Sequence, residues 1–461
     1  PTPTPNEFRF KLDLESANTN HRFDNTRAIA EKGGTALRPG SEFKPPDILE
    51  GIFIHHPLWD RTKEILTKGA TLHLDPLSEE ERTNDLKEAL ERGNHKSAQK
   101  QEDKLLKMVS ADVKYGYALP LPTSAALQIP GLVLSPMGIS PQMTISEFGE
   151  VIPKDRLTHD HSFQFASEKS INSRVRENDL TRLVYGKALS RFIHYIVDVR
   201  LRHPGVPILM SKSDYKAAYR RIHHRPEEIM TSGCMINEDL MAVYLRMTFG
   251  GRPNPATWSD ISEPACDLVN EMLRDDTWAP EEFQRYVPVD MPKPELLPKS
   301  ISFEEAQSLS VEIEPNDCGK YEVFIDDKFV ATPALRDNVH RAQWVLAIVI
   351  CTLERAMTTN EPIMREFLLS LKKFAAEGRL EETKIILGWL IDSRRLRISL
   401  PEHKVIAWSL TIVAIIESGK ATSDQLQTLE GRLNHVGEII RPTSHFLGRI
   451  RYTSRQCKAK N

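Results

Sequence analysis

The chain has 461 residues, of which 40% are hydrophobic and 27% are charged, and its formal net charge at pH 7 is -3. This length accommodates more than one domain, since single domains usually hold about 100–200 residues. The charge balance excludes a protein that is basic overall, so any surface for nucleic acid must be local. Five scattered cysteines without a Cys-x-x-Cys pair argue against a disulfide framework or zinc knuckle and favour a reducing, intracellular compartment, cytoplasmic or nuclear.

The first 112 residues predict a flexible tail followed by helices. Residues 1–45 mix Pro, Gly, Thr, Asn and charges without periodicity, which is typical of a segment that cannot bury a core. They begin without Met and without a signal-peptide pattern, so we expect a piece of a longer protein. Residues 46–112 form a helical lead-in, with one helix that begins after Ser78 and ends at Gly93.

The remaining chain mixes strand and helix patterns in an irregular order, which predicts an α+β fold. Residues 117–155 carry prolines and short β-branched runs that suit strands and loops. The apolar runs from Trp344 and Val405 are shorter than the roughly 18 residues of a membrane span and predict buried helices, with no membrane partner. A helix is expected between Asn360 and Gly378, followed by two strands joined by a turn at 392–395.

Carboxylates follow two apolar, strand-like runs. One run ends at Asp214, and the run Val323 to Ile325 is followed directly by Asp326 and Asp327. Because successive side chains of a strand point to opposite faces, two adjacent aspartates cannot both enter a core. Taken alone, the Asp-Asp pair fits a solvated hairpin turn at least as well as a metal site. The same reservation holds for Asp214, which alone fits a turn or a cap.

The order of these motifs resembles the palm of a reverse transcriptase. Asp214 matches the first catalytic aspartate, "FIDD" ending at Asp327 matches the Tyr-x-Asp-Asp box, and "FGGRPNPATW" from Phe249 matches the loop of retrotransposon enzymes. The similarity spans about residues 113–451, and the chain resembles the enzymes of tyrosine-recombinase-type (DIRS- and Ngaro-like) and LTR elements. It implies a right-hand polymerase fold of fingers, palm and thumb, with an antiparallel palm sheet flanked by helices.

The resemblance also implies domain boundaries and further site residues. Residues 113–404 would be fingers and palm, 405–451 a thumb-like helical region, and 452–461 a basic tail. Asp214, Asp326 and Asp327 would be catalytic and metal ligands for Mg²⁺ or Mn²⁺. The residues that would bind substrate are Lys154, Arg156, Tyr219, Phe249 and Gly250, with Asp160 and Asn172 in structural positions. Those that would bind primer and template are Leu387 and Gly388 of a primer-grip hairpin, and Arg441.

The chemistry of phosphoryl transfer explains why these residue types are needed. Charge builds on the attacking and leaving oxygens, and two divalent ions about 4 Å apart can stabilise both. Hard cations prefer carboxylate oxygens, while Lys and Arg neutralise triphosphate charge. An RNA or DNA template-primer and dNTPs would be the partners, together with other segments of a retroelement polyprotein.

The sequence departs from the family pattern at three places. Phe324 replaces the usual Tyr of the box, and Ala217 stands where a second acidic residue often follows the first aspartate. The interval from Asp275 to Lys320 is longer than in retroviral enzymes and is interpreted as an insertion.

Two alternatives stay open beside a reverse transcriptase. One is an inactive member of the fold that binds nucleic acid as a scaffold. The other is an RNA-dependent RNA polymerase, against which the aromatic Tyr219 counts. The histidine pairs at 55–56, 159 and 161, and 223–224 lack a third ligand at a motif spacing and are interpreted as ordinary surface or core residues.

Overall fold

The computed structural model describes residues 38–146, 150–183, 185–284, 287, 290–295, 315–357 and 363–458. The chain divides into two units, Pro1–Glu382 and Thr383–Asn461. The sequence-based boundaries at 112/113 and 404/405 remain predictions. None of the helices in the described ranges combines the length and apolarity needed to cross a bilayer.

The first unit contains nine α-helices among its described residues. They are α1 Pro46–Phe53, α2 Trp59–Lys68, α3 Glu79–Arg92, α4 Lys96–Gln99, α5 Glu102–Lys114, α6 Ala188–Arg202, α7 Asn254–Arg274, α8 Asn338–Leu353 and α9 Leu371–Glu377. The predicted helix after Ser78 is confirmed as α3. Its N-terminus is a capping box in which the Ser78 hydroxyl accepts from the Glu81 N–H and the Glu81 carboxylate accepts from the Ser78 N–H.

Eight strands of this unit form three antiparallel sheets, which confirms the mixed helix-and-sheet class. The strands are β1 Ala118–Pro122, β2 Met137–Ile145, β3 Val151–His159, β4 Ile208–Asp214, β5 Gly233–Met235, β6 Leu240–Tyr244, β7 Lys320–Phe324 and β8 Asp327–Pro333. Their orders are β1-β6-β5, β2-β3 and β4-β8-β7. The right-hand arrangement of subdomains remains a proposal.

The central sheet β4-β8-β7 sits in the largest core cluster. Leu209 of β4, Val323 of β7 and Val330 of β8 are fully buried with Trp258 of α7 and Val345 of α8. The burial of α8 confirms the prediction for the apolar run from Trp344. Packing the apolar faces of α7 and α8 against this core fixes the ends of β4 and β8, where the candidate site lies.

The second unit has a small meander followed by three helices. Its strands are β9 Thr383–Ile386, β10 Trp389–Asp392 and β11 Arg397–Ser399, and its helices are α10 Glu402–Ser418, α11 Ser423–Ile439 and α12 Ser444–Lys458. The predicted pair of strands around 392–395 is confirmed as β10 and β11.

Four expectations need correction. Residues 38–45 are not a flexible tail, because Glu42 and Phe43 are buried, and residues 1–37 lie outside the described part. Residues 452–458 continue α12 rather than forming a tail. The apolar run from Val405 is helical as α10, but no residue of that helix is buried.

The fourth correction concerns the helix expected from residue 360, which begins only at Leu371. Residues 363–370 are not helical, and residues 358–362 lie outside the described ranges. The reason is long-range backbone pairing: Leu369 forms a bridge with Tyr215, and the Lys216 N–H donates to the Leu368 carbonyl at 2.8 Å. These bonds compete with helix formation and carry α9 to the end of β4.

Candidate active site at the carboxylate end of the central sheet

The three predicted aspartates meet where β4 ends and β8 begins. Asp214 lies directly opposite Asp327 in the antiparallel register. Asp326 precedes Asp327 in the tight turn from β7, and its carbonyl accepts the Tyr215 N–H at 3.1 Å. Side chains opposite each other in such a pair have Cβ atoms about 4.5–5.5 Å apart, so the sheet itself brings like charges together.

The backbone around the carboxylates is strained. Ile325, immediately before Asp326, has φ +57°, and Ala217, three residues after Asp214, has φ +52°. A β-branched residue in this left-handed region is a genuine outlier. Trp258 of α7 holds the turn, since its indole N–H donates to the Ile325 carbonyl at 2.8 Å. Strain of this kind persists only where the surroundings over-determine it, and it concentrates at functional sites.

The three carboxylates are buried together, and Asp326 and Asp327 resist ionisation. Burial and then the neighbouring charges of Asp214 and Asp327 raise the pKa of Asp326 to about 7. Burial and the charge of Asp214 likewise raise the pKa of Asp327 to about 6. Asp214 is 6% exposed, and its Oδ1 has no hydrogen-bond partner in the described part of the chain. A buried carboxylate oxygen that accepts no hydrogen bond destabilises the protein, and a cation bound beside it would remove that cost.

Two lysines that sequence analysis did not assign to the site supply part of that charge. Lys373 of α9 pairs with Asp214 Oδ2. Lys328, which follows Asp327, is completely buried, and its Nζ lies 3.7 Å from the ring centroid of Tyr215. Burial lowers the pKa of Lys328 to about 7 although all three carboxylates act to raise it.

Four predicted substrate-binding residues line one cavity of about 660 Å³ with Asp214 and Asp326. Tyr219 and Phe249 meet edge to face with ring centroids 5.4 Å apart, and the Arg156 guanidinium lies 5.6 Å from the centroid of Phe249. Lys154 and Arg156 lie two residues apart on β3 and therefore share a face of the β2–β3 hairpin. Burial and then nearby cations lower the pKa of Lys154. Cations, an aromatic pair and carboxylates thus face the same space.

Gly250, Asp160 and Asn172 form the support beside this cavity. Gly250 has φ +108°, and a Cβ there would overlap the carbonyl oxygen of His159, so the loop requires glycine. Asn172 fastens the loop, because its Nδ2 donates to the Gly250 carbonyl at 2.8 Å and its Oδ1 accepts the Arg252 N–H at 2.8 Å. Asp160 pairs with His95 at 3.0 Å.

The three residues expected at primer and template belong to the second unit. Leu387 and Gly388 form the tight turn between β9 and β10, with φ of +47° and +82°. The Gly388 carbonyl accepts the Lys404 ammonium of α10 at 3.1 Å. Arg441 begins the single 3₁₀ turn between α11 and α12. Their role in binding primer and template remains a prediction.

The donor chemistry at the carboxylates fits a hard divalent cation. The three carboxylates supply oxygen ligands of the kind that Mg²⁺ prefers, and one of those oxygens, Asp214 Oδ1, has no hydrogen-bond partner among the described residues. As the side chains stand, however, no three His, Cys, Asp or Glu groups in the described ranges are arranged to hold a metal ion. The ammonium of Lys373 neutralises part of the negative charge that a bound metal ion would neutralise.

The cations that sequence analysis missed could not be found from local pattern. Lys216, Lys372 and Lys373 line the cavity, and Lys216 pairs with Glu366 at 3.4 Å. The positions of Lys372 and Lys373 depend on α9 folding back onto β4, a contact across more than 150 residues. Lys328 did carry a local sign, because it is the one cation within the apolar run of β8.

Comparison with known proteins does not identify the family. No protein-family model and no curated protein matches the chain. Solved structures of the foamy viral protease-reverse transcriptase resemble it at low similarity. The complex with double-stranded DNA is 13% identical with a TM-score of 0.40, covering 88% of this chain and 56% of that one. The complex with an RNA/DNA hybrid has the same identity and TM-score and covers 88% and 43%. The chain thus spans about half the length of these proteins, and likeness at this level establishes neither family nor activity.

Proposed function

We propose that the chain is a template-directed DNA polymerase of the reverse-transcriptase type, from a retrotransposon, that acts by phosphoryl transfer on a primed RNA or DNA template. The observation that carries the proposal is the buried carboxylate cluster at the floor of a cavity lined by cations and an aromatic pair. Few structural roles require three like charges at adjacent strand ends, since such charges destabilise a fold.

Each side of the cavity has a distinct role in this proposal. Asp214 and Asp326 would hold Mg²⁺ or Mn²⁺, with Asp327 beside them, and the ions would stabilise charge on the reacting oxygens. Lys154 and Arg156 would bind the triphosphate of the dNTP, Arg156 through its planar fork. Their spacing on β3 lets both reach one anionic group.

A second candidate is a nucleic-acid-binding scaffold without catalysis. It is favoured by the pairing of Lys373 with Asp214, which neutralises one carboxylate without any metal. The two candidates differ in whether the carboxylates are needed for chemistry or only tolerated.

Primer extension on an RNA template separates these candidates. The purified chain should extend a DNA primer with dNTPs and Mg²⁺, and Asp326→Asn should reduce extension by at least about a thousandfold, because it removes a ligand charge at nearly constant volume. Asp276→Asn, an exposed aspartate outside the cavity, is the matched control and should extend normally. Parental extension by Asp326→Asn would overturn the assigned role, and no extension by the parent would favour the scaffold.

Sugar selection tests the role of Tyr219. Its ring lies at the cavity against Phe249, where we propose it contacts the sugar of the incoming nucleotide and excludes a 2'-hydroxyl. Such overlap costs about 1–3 kcal/mol, and each 1.36 kcal/mol is tenfold in rate. Tyr219→Val should therefore raise the ratio of rNTP to dNTP incorporation by about tenfold or more, while Tyr219→Phe, which keeps the ring, should not. An unchanged ratio in an active Tyr219→Val protein would remove Tyr219 from the sugar site.

A further inference from the structure

Lys373 approaches the carboxylates on a helix that is fastened to β4. Along β4, the Ser211 hydroxyl donates to the Gly378 carbonyl at 2.7 Å and Lys212 pairs with Glu377 at 2.5 Å. At the end of the strand, the Ser370 N–H donates to the Asp214 carbonyl at 2.9 Å. These contacts flank α9 on both ends and fix the backbone from which Lys373 reaches Asp214.

The two site lysines differ in their freedom to move. Lys328 is completely buried, so its ammonium cannot swing into solvent. The side chain of Lys373 is 30% exposed and lines the cavity. A lysine stem of four methylenes can carry its ammonium into solvent while its helix stays in place.

We propose that Lys373 is an exchangeable counter-cation: its ammonium neutralises Asp214 in the metal-free protein and must leave that carboxylate before a divalent ion can bind there. This inference rests on the proposed function, because it takes Asp214 as a metal ligand. Two observations carry it, the ion pair on Asp214 Oδ2 and the buried Oδ1 of the same carboxylate, which lacks a partner within the described residues.

The exchange sets the affinity of the site for metal. A ligand that binds one of two arrangements has its apparent affinity reduced by the fraction of protein in the competent arrangement. With Lys373 on Asp214, the cluster of three carboxylates already holds a compensating positive charge at the oxygen a divalent ion would need. A divalent ion alone should therefore bind weakly. The same ion should bind more tightly together with an anionic substrate, because the displaced ammonium of Lys373 can then pair with the substrate.

The test is the affinity of the full, nucleic-acid-free chain for Mn²⁺, measured by electron paramagnetic resonance at fixed ionic strength. Lys373→Met should tighten the Mn²⁺ affinity by about tenfold, the factor expected when the paired arrangement is populated about ten to one. Lys373→Gln is a second neutral variant for the same measurement, and Lys373→Arg, which keeps the charge, should stay close to wild type. Adding Asp214→Asn to Lys373→Met should abolish the gain.

Lys216→Met is the matched control for a general charge effect. Lys216 lines the same cavity but pairs with Glu366, so its loss should change the Mn²⁺ affinity much less than the loss of Lys373. A second readout is thermal unfolding: in EDTA, Lys373→Met should unfold at a lower temperature than wild type, and Mn²⁺ should restore or exceed the wild-type value, since a ligand that binds only the folded state stabilises it.

Unchanged or weaker Mn²⁺ binding in both neutral variants overturns the inference, and so does an equal gain in Lys216→Met. If the wild-type chain still extends a primer in an Asp326-dependent way, the proposed function stands and only the exchange fails. If no variant binds Mn²⁺ in an Asp214-dependent way and no primer is extended, both fail together.

Discussion

Two clusters of buried charge in the first unit are built on opposite principles. In one, Glu42 pairs with Arg221 and Arg246, and all three are almost completely buried. The Arg221 guanidinium also donates to the carbonyls of Lys216, Glu366 and Phe367 at 2.8–3.1 Å. In the other, Asp214, Asp326 and Asp327 crowd like charges together, and a buried oxygen of Asp214 lacks a donor in the described chain.

The direction of the pKa shifts expresses this difference. Burial alone would raise the pKa of Glu42, but the two arginines outweigh it and lower that pKa. In the aspartate cluster burial and like charges act in the same sense, and the pKa of Asp326 rises. Both carboxylate oxygens of Glu42 are paired with guanidinium groups within the fold, whereas the aspartate cluster leaves a carboxylate oxygen that a bound cation can neutralise.

The largest expected effect on stability concerns the Glu42 cluster. Glu42→Gln leaves two buried guanidinium groups without their counter-charge and should lower the free energy of unfolding by about 3 kcal/mol or more. Urea denaturation at pH 7.5 measures it. Glu50→Gln, which removes a half-buried partner of Lys63, is the control and should unfold nearly like the wild type. If both variants lowered the free energy of unfolding equally, the Glu42 cluster would stabilise the fold no more than the Glu50–Lys63 ion pair does.

The same kind of substitution in the aspartate cluster should raise the free energy of unfolding instead of lowering it. A carboxyl whose pKa is raised by folding loses stability as the pH rises from its unfolded value toward its folded one, here toward about 7. Asp326→Asn removes this loss and should stabilise the metal-free protein by about 2 kcal/mol at pH 8. Urea denaturation in EDTA measures the gain, which should shrink at pH 5. A lower free energy of unfolding for Asp326→Asn at pH 8 would show that repulsion among the carboxylates does not destabilise the metal-free protein.

A third buried cluster sharpens the comparison because it is neutral. His159, His161, His223 and His224 are all buried, and burial lowers their pKa values, that of His161 to about 4 and that of His224 to about 3. Arg220 also acts against protonation of His224. Below the unfolded value near 6.5 the unfolded chain binds more protons, so stability falls as the pH falls toward 4.

Replacing one of these histidines should therefore change the slope of the unfolding free energy against pH. His224→Gln should reduce the pH dependence of the unfolding free energy between pH 6 and 4.5 by about 1.4 kcal/mol per pH unit, the contribution of one proton. The comparison of slopes is unaffected by any constant loss of stability from the substitution. His55→Gln, at an exposed position, should leave the slope as it is. A slope unchanged by His224→Gln would mean that His224 is not held neutral.

Local pattern predicted those parts of the site that depend on one strand or one turn. Strand alternation marks Asp214, Asp326 and Asp327 as carboxylates at strand ends, and the order of the motifs, which resembles a reverse-transcriptase palm, predicts that they share a site. The helix α3 is predicted because its cap is encoded within four residues. Lys373 was missed because a helix expected from residue 360 begins only at Leu371, after a segment that pairs with the end of β4. Glu42 was placed in a tail because both of its partners lie more than 170 residues away.

The course of the chain through the central sheet has a practical consequence for labelling. β7 begins at Lys320, at the end of the strand opposite Asp326, and strand geometry separates these ends by about 13 Å. The chain therefore enters β7 on the side of the sheet away from the carboxylates. A fluorophore attached at this end of β7 would therefore lie away from the carboxylates.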